Sequence, residues 1–347
     1  MQNGLSPGIP LTRHIDLTVR KSFRSYRQTA PLALERGTQF LLAAQGRDGL
    51  WRDFLTPAGE ASEWPTGAAA AALHLAGTGV HALERAANAL VATQNSDGGW
   101  GYNEDVPSDA DSTATVLLFL ALTGRQRGAC ARAASCLVRH QRPSDGGVAT
   151  YSGPGPIRSF MGVSRWWRFT GWCSSQTEVT AAAGRAFAAA GCSAEADAAW
   201  RYVRPRQRDD GSWDSYWWTS PHYATQQSVE LAVLFGDCSA VGRAASWVLQ
   251  TANAGTAPFE TALSLCILLD AGADGEAVER AIERLAALQD GDGGWPSHPI
   301  MRIPPPWDTD PGRQRLVRIG RGIEVRDQNR IFTSAACVSA LARVMID

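Results

Sequence analysis

Two kinds of apolar pattern alternate along the chain. Segments such as "ALERAANALVATQ" (82–94) and "EAVERAIERLAALQ" (276–289) place apolar residues at three- and four-residue spacing with charges between them, the period of an amphipathic helix. Others, such as "STATVLLFLAL" (112–122), are apolar around the whole helical circumference and predict helices buried on all sides. A repeat, QxxDGxW, follows the amphipathic segments: Gln45 to Trp51, Gln94 to Trp100, Gln207 to Trp213 and Gln289 to Trp295, with a degenerate form, "QRPSDGGV", from Gln141. Its Asp-Gly stops the helix before it.

The apolar segments align on a threonine eleven residues before a glycine: Thr66 and Gly77, Thr113 and Gly124, Thr180 and Gly191, Thr225 and Gly236, Thr261 and Gly272. Thr333 heads a sixth. Such a helix spans roughly 18 Å at 1.5 Å per residue, and its glycine suits a left-handed C-cap. Six wholly apolar helices must be buried, and six amphipathic ones must cover them. The chain is therefore expected to be all-α, an (α/α)6 barrel of six inner and six outer helices over residues 32–347. Residues 1–31 read as an arm that wraps the barrel, with Ile15, Val19, Phe23 and Tyr26 near one helical face, and 151–176 and 296–331 read as loop insertions. Peripheral contact of the arm with a membrane surface is the alternative.

Aligned helices packed in a ring hold equivalent positions at one height. Two residues before each threonine stand Trp64, Asp111, Glu178, Tyr223, Phe259 and Ile331; Phe332 lies one residue nearer the last threonine. Two acids thus share a tier with aromatic rings. A carboxyl among apolar neighbours keeps its proton, because burial disfavours the charged form. Aromatic faces stabilise cations. Together they suit the making and guiding of a carbocation. The same acids, with Asp109 and Ser112, also fall where a helix N-cap and first turn are expected, so capping is the competing role.

Composition narrows the setting. Hydrophobic residues at 44% and charged residues at 19% describe a globular protein, and a net charge of −1 gives no field for attracting nucleic acid. Seven cysteines without CxxC spacing suit a reducing compartment and buried thiols, and no DxC pair suggests zinc. The start "MQNGLSPGIPLTR" lacks a signal-peptide core and no apolar run reaches membrane-spanning length, so a cytoplasmic location is expected.

The QxxDGxW repeats resemble the QW motifs of squalene-hopene and oxidosqualene cyclases, and "PSDADSTA" (107–114) is similar to their DxDD-type acid motif, shared with class II diterpene cyclases. The resemblance runs from about residue 32 to the end. It implies a monodomain class II terpene or meroterpenoid cyclase, acting on a linear isoprenoid or prenylated small molecule. Asp111 falls on the position that donates the proton to an alkene or epoxide, Asp109 on the first aspartate, and Ser112 where many members have Asp. No cofactor is implied for the protonation; a diphosphate-bearing substrate would bring Mg²⁺. Further candidates are Trp166 and Trp167 as a lid, His222 as a partner of Asp111, Glu178 as a terminating base, and Arg165, Arg326 and Arg330 for phosphate oxygens. Two other classes fit a barrel of this kind: an acid-initiated cyclase of a non-terpenoid polyene or alkaloid precursor, and a carbohydrate-active or ligand-binding barrel using Asp111 and Glu178 as paired carboxylates.

Overall fold

A computed structural model describes residues 26–251, 257–310 and 322–346. Helices α1 (Tyr26–Ala44), α2 (Glu63–Leu75), α3 (Val80–Ala92), α4 (Ala110–Leu122), α5 (Arg127–His140), α6 (Pro154–Phe160), α7 (Thr177–Ala189), α8 (Ser193–Val203), α9 (His222–Leu234), α10 (Cys238–Thr251), α11 (Pro258–Asp270), α12 (Glu276–Ala287) and α13 (Ile331–Ile346) build the chain. The six apolar segments pack in the order α2, α4, α7, α9, α11, α13, and α13 returns to α2, so the ring is closed. Five of these inner helices are 13 residues long. Each ends at its aligned glycine in the left-handed region, for instance Gly77 at φ 67° and Gly191 at φ 80°.

Each outer helix covers the inner helix before it: α3 lies on α2, α5 on α4, α8 on α7 and α12 on α11, while α10 bridges α9 and α11. The remaining one, α1, lies behind α13 and against α12. It begins at Tyr26, so the expected boundary at residue 32 falls inside a helix. The rest of the expected arm, with Ile15, Val19 and Phe23, lies outside the described residues.

The repeat is a clasp between neighbouring outer helices. Each glutamine Nε2 donates to the repeat's own glycine carbonyl and to a carbonyl of the next outer helix: Gln45 to Gly49 and Ala82, Gln94 to Gly98 and Ala129, Gln207 to Gly211 and Ala240, Gln289 to Gly293 and Ala33. The degenerate copy does the same from Gln141 to Gly146 and Glu195. Every repeat tryptophan is fully buried, and its indole N–H donates to a carbonyl ten residues earlier, as Trp100 does to Leu90 at 2.6 Å. Glycine is required between Asp and the ring. At Gly211, φ is 95° and an added Cβ would sit 2.2 Å from the Arg243 carbonyl oxygen.

The aligned threonines complete the clasp by accepting the tryptophan amide: Trp51 on Thr66, Trp100 on Thr113 and Trp213 on Thr225. On α13 the amide of Trp295 finds Ser334 instead of Thr333. The register of the sixth helix is therefore one residue later than the sequence alignment placed it, and Phe332, rather than Ile331, takes the tier of Trp64 and Asp111.

Two small antiparallel pairs, unforeseen in the sequence, decorate the end of the barrel where the inner helices begin: β1 (Asp53–Thr56) with β2 (Gly59–Ala61), and β3 (Pro299–Ile303) with β4 (Ile323–Arg326). Toward the opposite end, charge pairs join the inner helices. Glu230 of α9 pairs with Arg185 of α7 and, at 2.9 Å, with Arg343 of α13, whose other nitrogen pairs with Asp270 of α11. In partly buried pairs of this kind the loss of one partner is costly, because it leaves the other charge uncompensated.

Candidate active site

Helix α4 begins at the residue after Asp109 because that side chain caps it, Oδ1 accepting the Ser112 amide at 2.7 Å. Oδ2 accepts the Ser112 hydroxyl at 2.9 Å. Capping is thus satisfied by Asp109 alone. Asp111, two residues on, points elsewhere: its Oδ2 accepts the hydroxyl of Thr150 at 3.1 Å. Burial raises the Asp109 carboxyl to about 7. Asp111 lies well above the usual carboxylate range, through burial first, then the negative charges of Asp109 and Glu178.

Asp111 faces the inside of the ring. Helix α4 is covered behind by α5 and flanked by α2 and α7, yet Asp111, Thr115 and Leu118, at helical spacing, keep accessible surface. So do Ala68 and Ala71 on α2 and Tyr223 on α9. The axis is the one direction left open to them. These side chains face the space inside the ring, between the first turns and the charge cluster.

Rings stand over this space as a connected group. Trp64, Tyr223 and Phe259 come together as the tier predicts and Phe332 joins them in the place expected of Ile331, with Trp64 and Phe332 at 4.6 Å and Phe259 and Phe332 at 5.7 Å between centroids. Two members escaped sequence reasoning. Trp218, from the connection into α9, stacks on Tyr223 at 3.9 Å, Phe332 at 5.3 Å and Phe259 at 5.5 Å. Phe54 stacks on Trp64 at 4.8 Å. Phe54 holds a left-handed φ of 51° at a bulge in β1, a strained conformation for a side-chain-bearing residue. Its amide is taken by the Asp53 carboxylate and its carbonyl by the Tyr102 hydroxyl, which fixes the ring's direction.

Other sequence candidates take different places. His222 does not reach Asp111; its ring lies 4.7 Å from that of Trp247 on outer helix α10, and burial lowers its pKa to about 4. Glu178 is fully buried, and its Oε1 accepts the amides of Tyr216 at 2.6 Å and Trp217 at 2.7 Å, so it holds the connection before α9. Trp166 is 78% exposed and Trp167 edges onto Trp307, both outside the ring cluster, whereas Phe169 and Trp172 of the same insertion are buried with Tyr151 and Tyr216. The insertion is fastened to the other long loop, Gly171 donating to the Pro306 carbonyl and Trp172 Nε1 to that of Pro304.

Arg330 is not free for phosphate. It pairs with Asp290 at 2.8 Å and Asp292 at 2.5 Å and borders an outer groove of about 540 Å³ formed by Phe40, Arg52 and Glu60 among others, away from Asp111. Arg326 is exposed on β4, and Arg165 lies over Trp166. Among the described residues, no group of three or more His, Cys, Asp or Glu side chains is gathered as a metal site requires. No described helix is long and apolar enough to cross a membrane.

No protein-family model matches the chain. It is 32% identical over 249 residues to a drimenyl diphosphate synthase of Streptomyces showdoensis, a match covering 68% of this chain and 37% of that protein. The chain thus spans little more than a third of that relative. Among solved structures it is similar to a variant of the type II terpene cyclase MstE from Scytonema, in complex with its substrate geranylgeranyl dihydroxybenzoate. There the TM-score is 0.82 and the identity 28%, over 91% of this chain and 97% of the other. The ent-copalyl diphosphate synthase of Streptomyces platensis shares the fold at a TM-score of 0.57 and 23% identity, over 81% of this chain and half of the other. The closed all-α barrel matches the fold of type II terpene cyclases.

Proposed function

We propose that the protein is a type II, proton-initiated cyclase of a linear isoprenoid. The observation that carries this reading is Asp111, a carboxyl whose pKa burial and neighbouring acids raise well above the usual range, facing the inside of the barrel beside six clustered rings. Neutral Asp111 gives its proton to a terminal alkene or epoxide of the bound chain. The cation then advances by ring closure, each positive centre held against aromatic faces at about 0.5–2 kcal/mol apiece, and a final proton is lost to a base or to water. Folding of the chain by the barrel wall supplies the remainder, because neighbouring carbons must be brought within bonding distance before the cation migrates. The repeats and the DADST segment fill the roles of the QW and DxDD-type motifs that they resemble.

The whole-length match to a single-barrel cyclase in complex with a prenylated aromatic favours a substrate of that type. The curated relative's name makes diphosphate-bearing chains the second class to test. Incubation with farnesyl and geranylgeranyl chains, attached either to a dihydroxybenzoate or to diphosphate, is expected to yield a cyclic isomer of unchanged mass from a prenylated aromatic. Absence of any cyclic product from all four would reject the activity.

A pH effect follows from the first aspartate. With its carboxyl near 7, Asp109 is charged in the alkaline range, and that charge helps to hold the proton on Asp111. Turnover requires protonated Asp111, so it falls as pH rises through the acid's pKa. Asp109→Asn keeps an oxygen to cap Ser112 but removes the charge. The alkaline limb of kcat is expected to move to lower pH, and an unmoved limb would show that the two carboxyls are not coupled.

A further inference from the structure

Thr150 stands between the acid and the loop that carries Trp217 and Trp218. Its hydroxyl oxygen accepts the indole N–H of Trp217 at 2.7 Å. An indole N–H can only donate, so one lone pair of the hydroxyl is committed. Trp217 is itself fixed, its amide held by Glu178 and its ring 5.5 Å from that of Trp172. The single hydroxyl hydrogen has two acceptors in reach, Asp111 Oδ2 at 3.1 Å and Gln176 Oε1 at 3.4 Å. Gln176 is oriented by its own bonds: Nε2 donates to the Gly171 carbonyl at 2.6 Å and Oε1 accepts the Thr150 amide at 3.2 Å. Its oxygen is therefore acceptor only.

We propose that Thr150 is the positioning residue of the acid: its hydroxyl, oriented by Trp217, engages Oδ2 of Asp111 and leaves Oδ1 as the oxygen from which the proton departs. This rests on the activity proposed above. A proton on Oδ2 would force Thr150 to receive it and to turn its own hydrogen to the more distant Gln176. A proton on Oδ1 leaves the shorter bond in place. When the Oδ1–H bond breaks, its electron pair stays on Asp111, the proton forms a C–H bond with the alkene's π pair, and positive charge appears on the adjacent carbon. The carboxylate so made is still held through Oδ2, and hydrogen bonds to an ionised acceptor are about twice as strong as neutral ones. Thr150 thus makes Asp111 a stronger acid, against burial and the charges of Asp109 and Glu178, while Tyr151 and Tyr223 also stand close to the carboxyl.

Thr150→Val keeps the shape and removes the hydroxyl; Thr150→Ser restores it. The valine variant is expected to lose about ten- to hundredfold in kcat with KM changed less than about twofold, and its alkaline limb is expected to move to higher pH. Serine should recover most of both. A second readout needs no substrate: the infrared carboxyl band present in wild type and missing from Asp111→Asn, titrated with pH, should lose its proton at higher pH in Thr150→Val. If kcat and the titration are unchanged in the valine variant, or serine loses as much as valine, the positioning role is overturned. If the titration moves as stated in a protein that cyclises none of the isoprenoids, the control of Asp111 acidity by Thr150 stands and the proposed activity falls.

Discussion

Asp111→Asn is expected to abolish cyclisation, lowering turnover by about 10³-fold or more, while the barrel stays folded. Asparagine matches aspartate in shape, and its carbonyl oxygen can still accept the Thr150 hydroxyl. What it lacks is an acidic proton. The fold should not suffer, because Asp111 is not the cap of α4; that work is done by Asp109. The wild-type residue also sits near two other acids in a setting that disfavours charge. Keeping a proton on that carboxyl at neutral pH costs folding free energy that asparagine does not incur, so the melting temperature of the variant is expected to equal or exceed that of wild type. Product analysis by mass spectrometry and a thermal melt check the two halves. Retained cyclisation would eliminate Asp111 as the acid, and an inactive variant that melts much earlier would make its role structural.

Trp100→Ala is expected to cost about 3–5 kcal/mol of stability, the range for truncating a fully buried large aromatic. Domains of this kind are stable by only about 5–15 kcal/mol, so the loss is a large share. Trp100 is completely buried and is bonded at three points: its indole N–H donates to Leu90 at 2.6 Å, its amide to Thr113 at 3.0 Å, and its carbonyl accepts the Asp109 amide at 2.9 Å. The last contact links the clasp to the residue that starts α4. Trp100→Phe keeps an aromatic ring but removes the shorter of the two bonds to the Leu90 carbonyl, leaving only the Thr93 hydroxyl at 3.3 Å, a penalty of about 1 kcal/mol. Thermal or urea melts should therefore rank wild type above Phe and Phe above Ala. Equal stability of all three would mean that the repeat does not hold the outer helices.

The barrel was legible because its parts repeat. A threonine and a glycine at fixed spacing mark the inner segments, the threonine accepting a tryptophan amide on α2, α4 and α9 and that of Val148 on α7, and an apolar circumference says that the segment is enclosed. Alignment failed only on α13, where Ser334 performs the threonine's task and the adjacent Thr333 imitates its position. The cage was legible to the same extent. Trp64, Tyr223 and Phe259 lie on the repeat, whereas Trp218 and Phe54 come from connections whose course depends on Glu178, Asp53 and β3, none of which a periodic pattern encodes. His222 misled through helical geometry. Adjacent residues on a helix are turned by about 100°, so the neighbour of an axial Tyr223 looks outward at Trp247. Arg330 misled through composition, since its loop is rich in arginine but its own charge is spent on two repeat aspartates. Thr150 was hidden by distance: it is 39 positions from Asp111, after the one degenerate repeat.

The placement of α1 bears on how the chain assembles as it is made. Five outer helices settle on partners from nearby stretches of sequence, but α1 rests on α12 and α13, with Arg36 donating to the Asp290 carbonyl across 254 positions. At roughly 5–20 residues per second of synthesis, the first helix waits many seconds for its seat, its apolar stripe uncovered. Closing the ring on this side therefore needs contacts between residues more than 250 positions apart. Such a contact carries a larger loop-closure cost than the pairing of helices adjacent in sequence, so α1 is the outer helix whose seat is set by chain topology rather than by its neighbours.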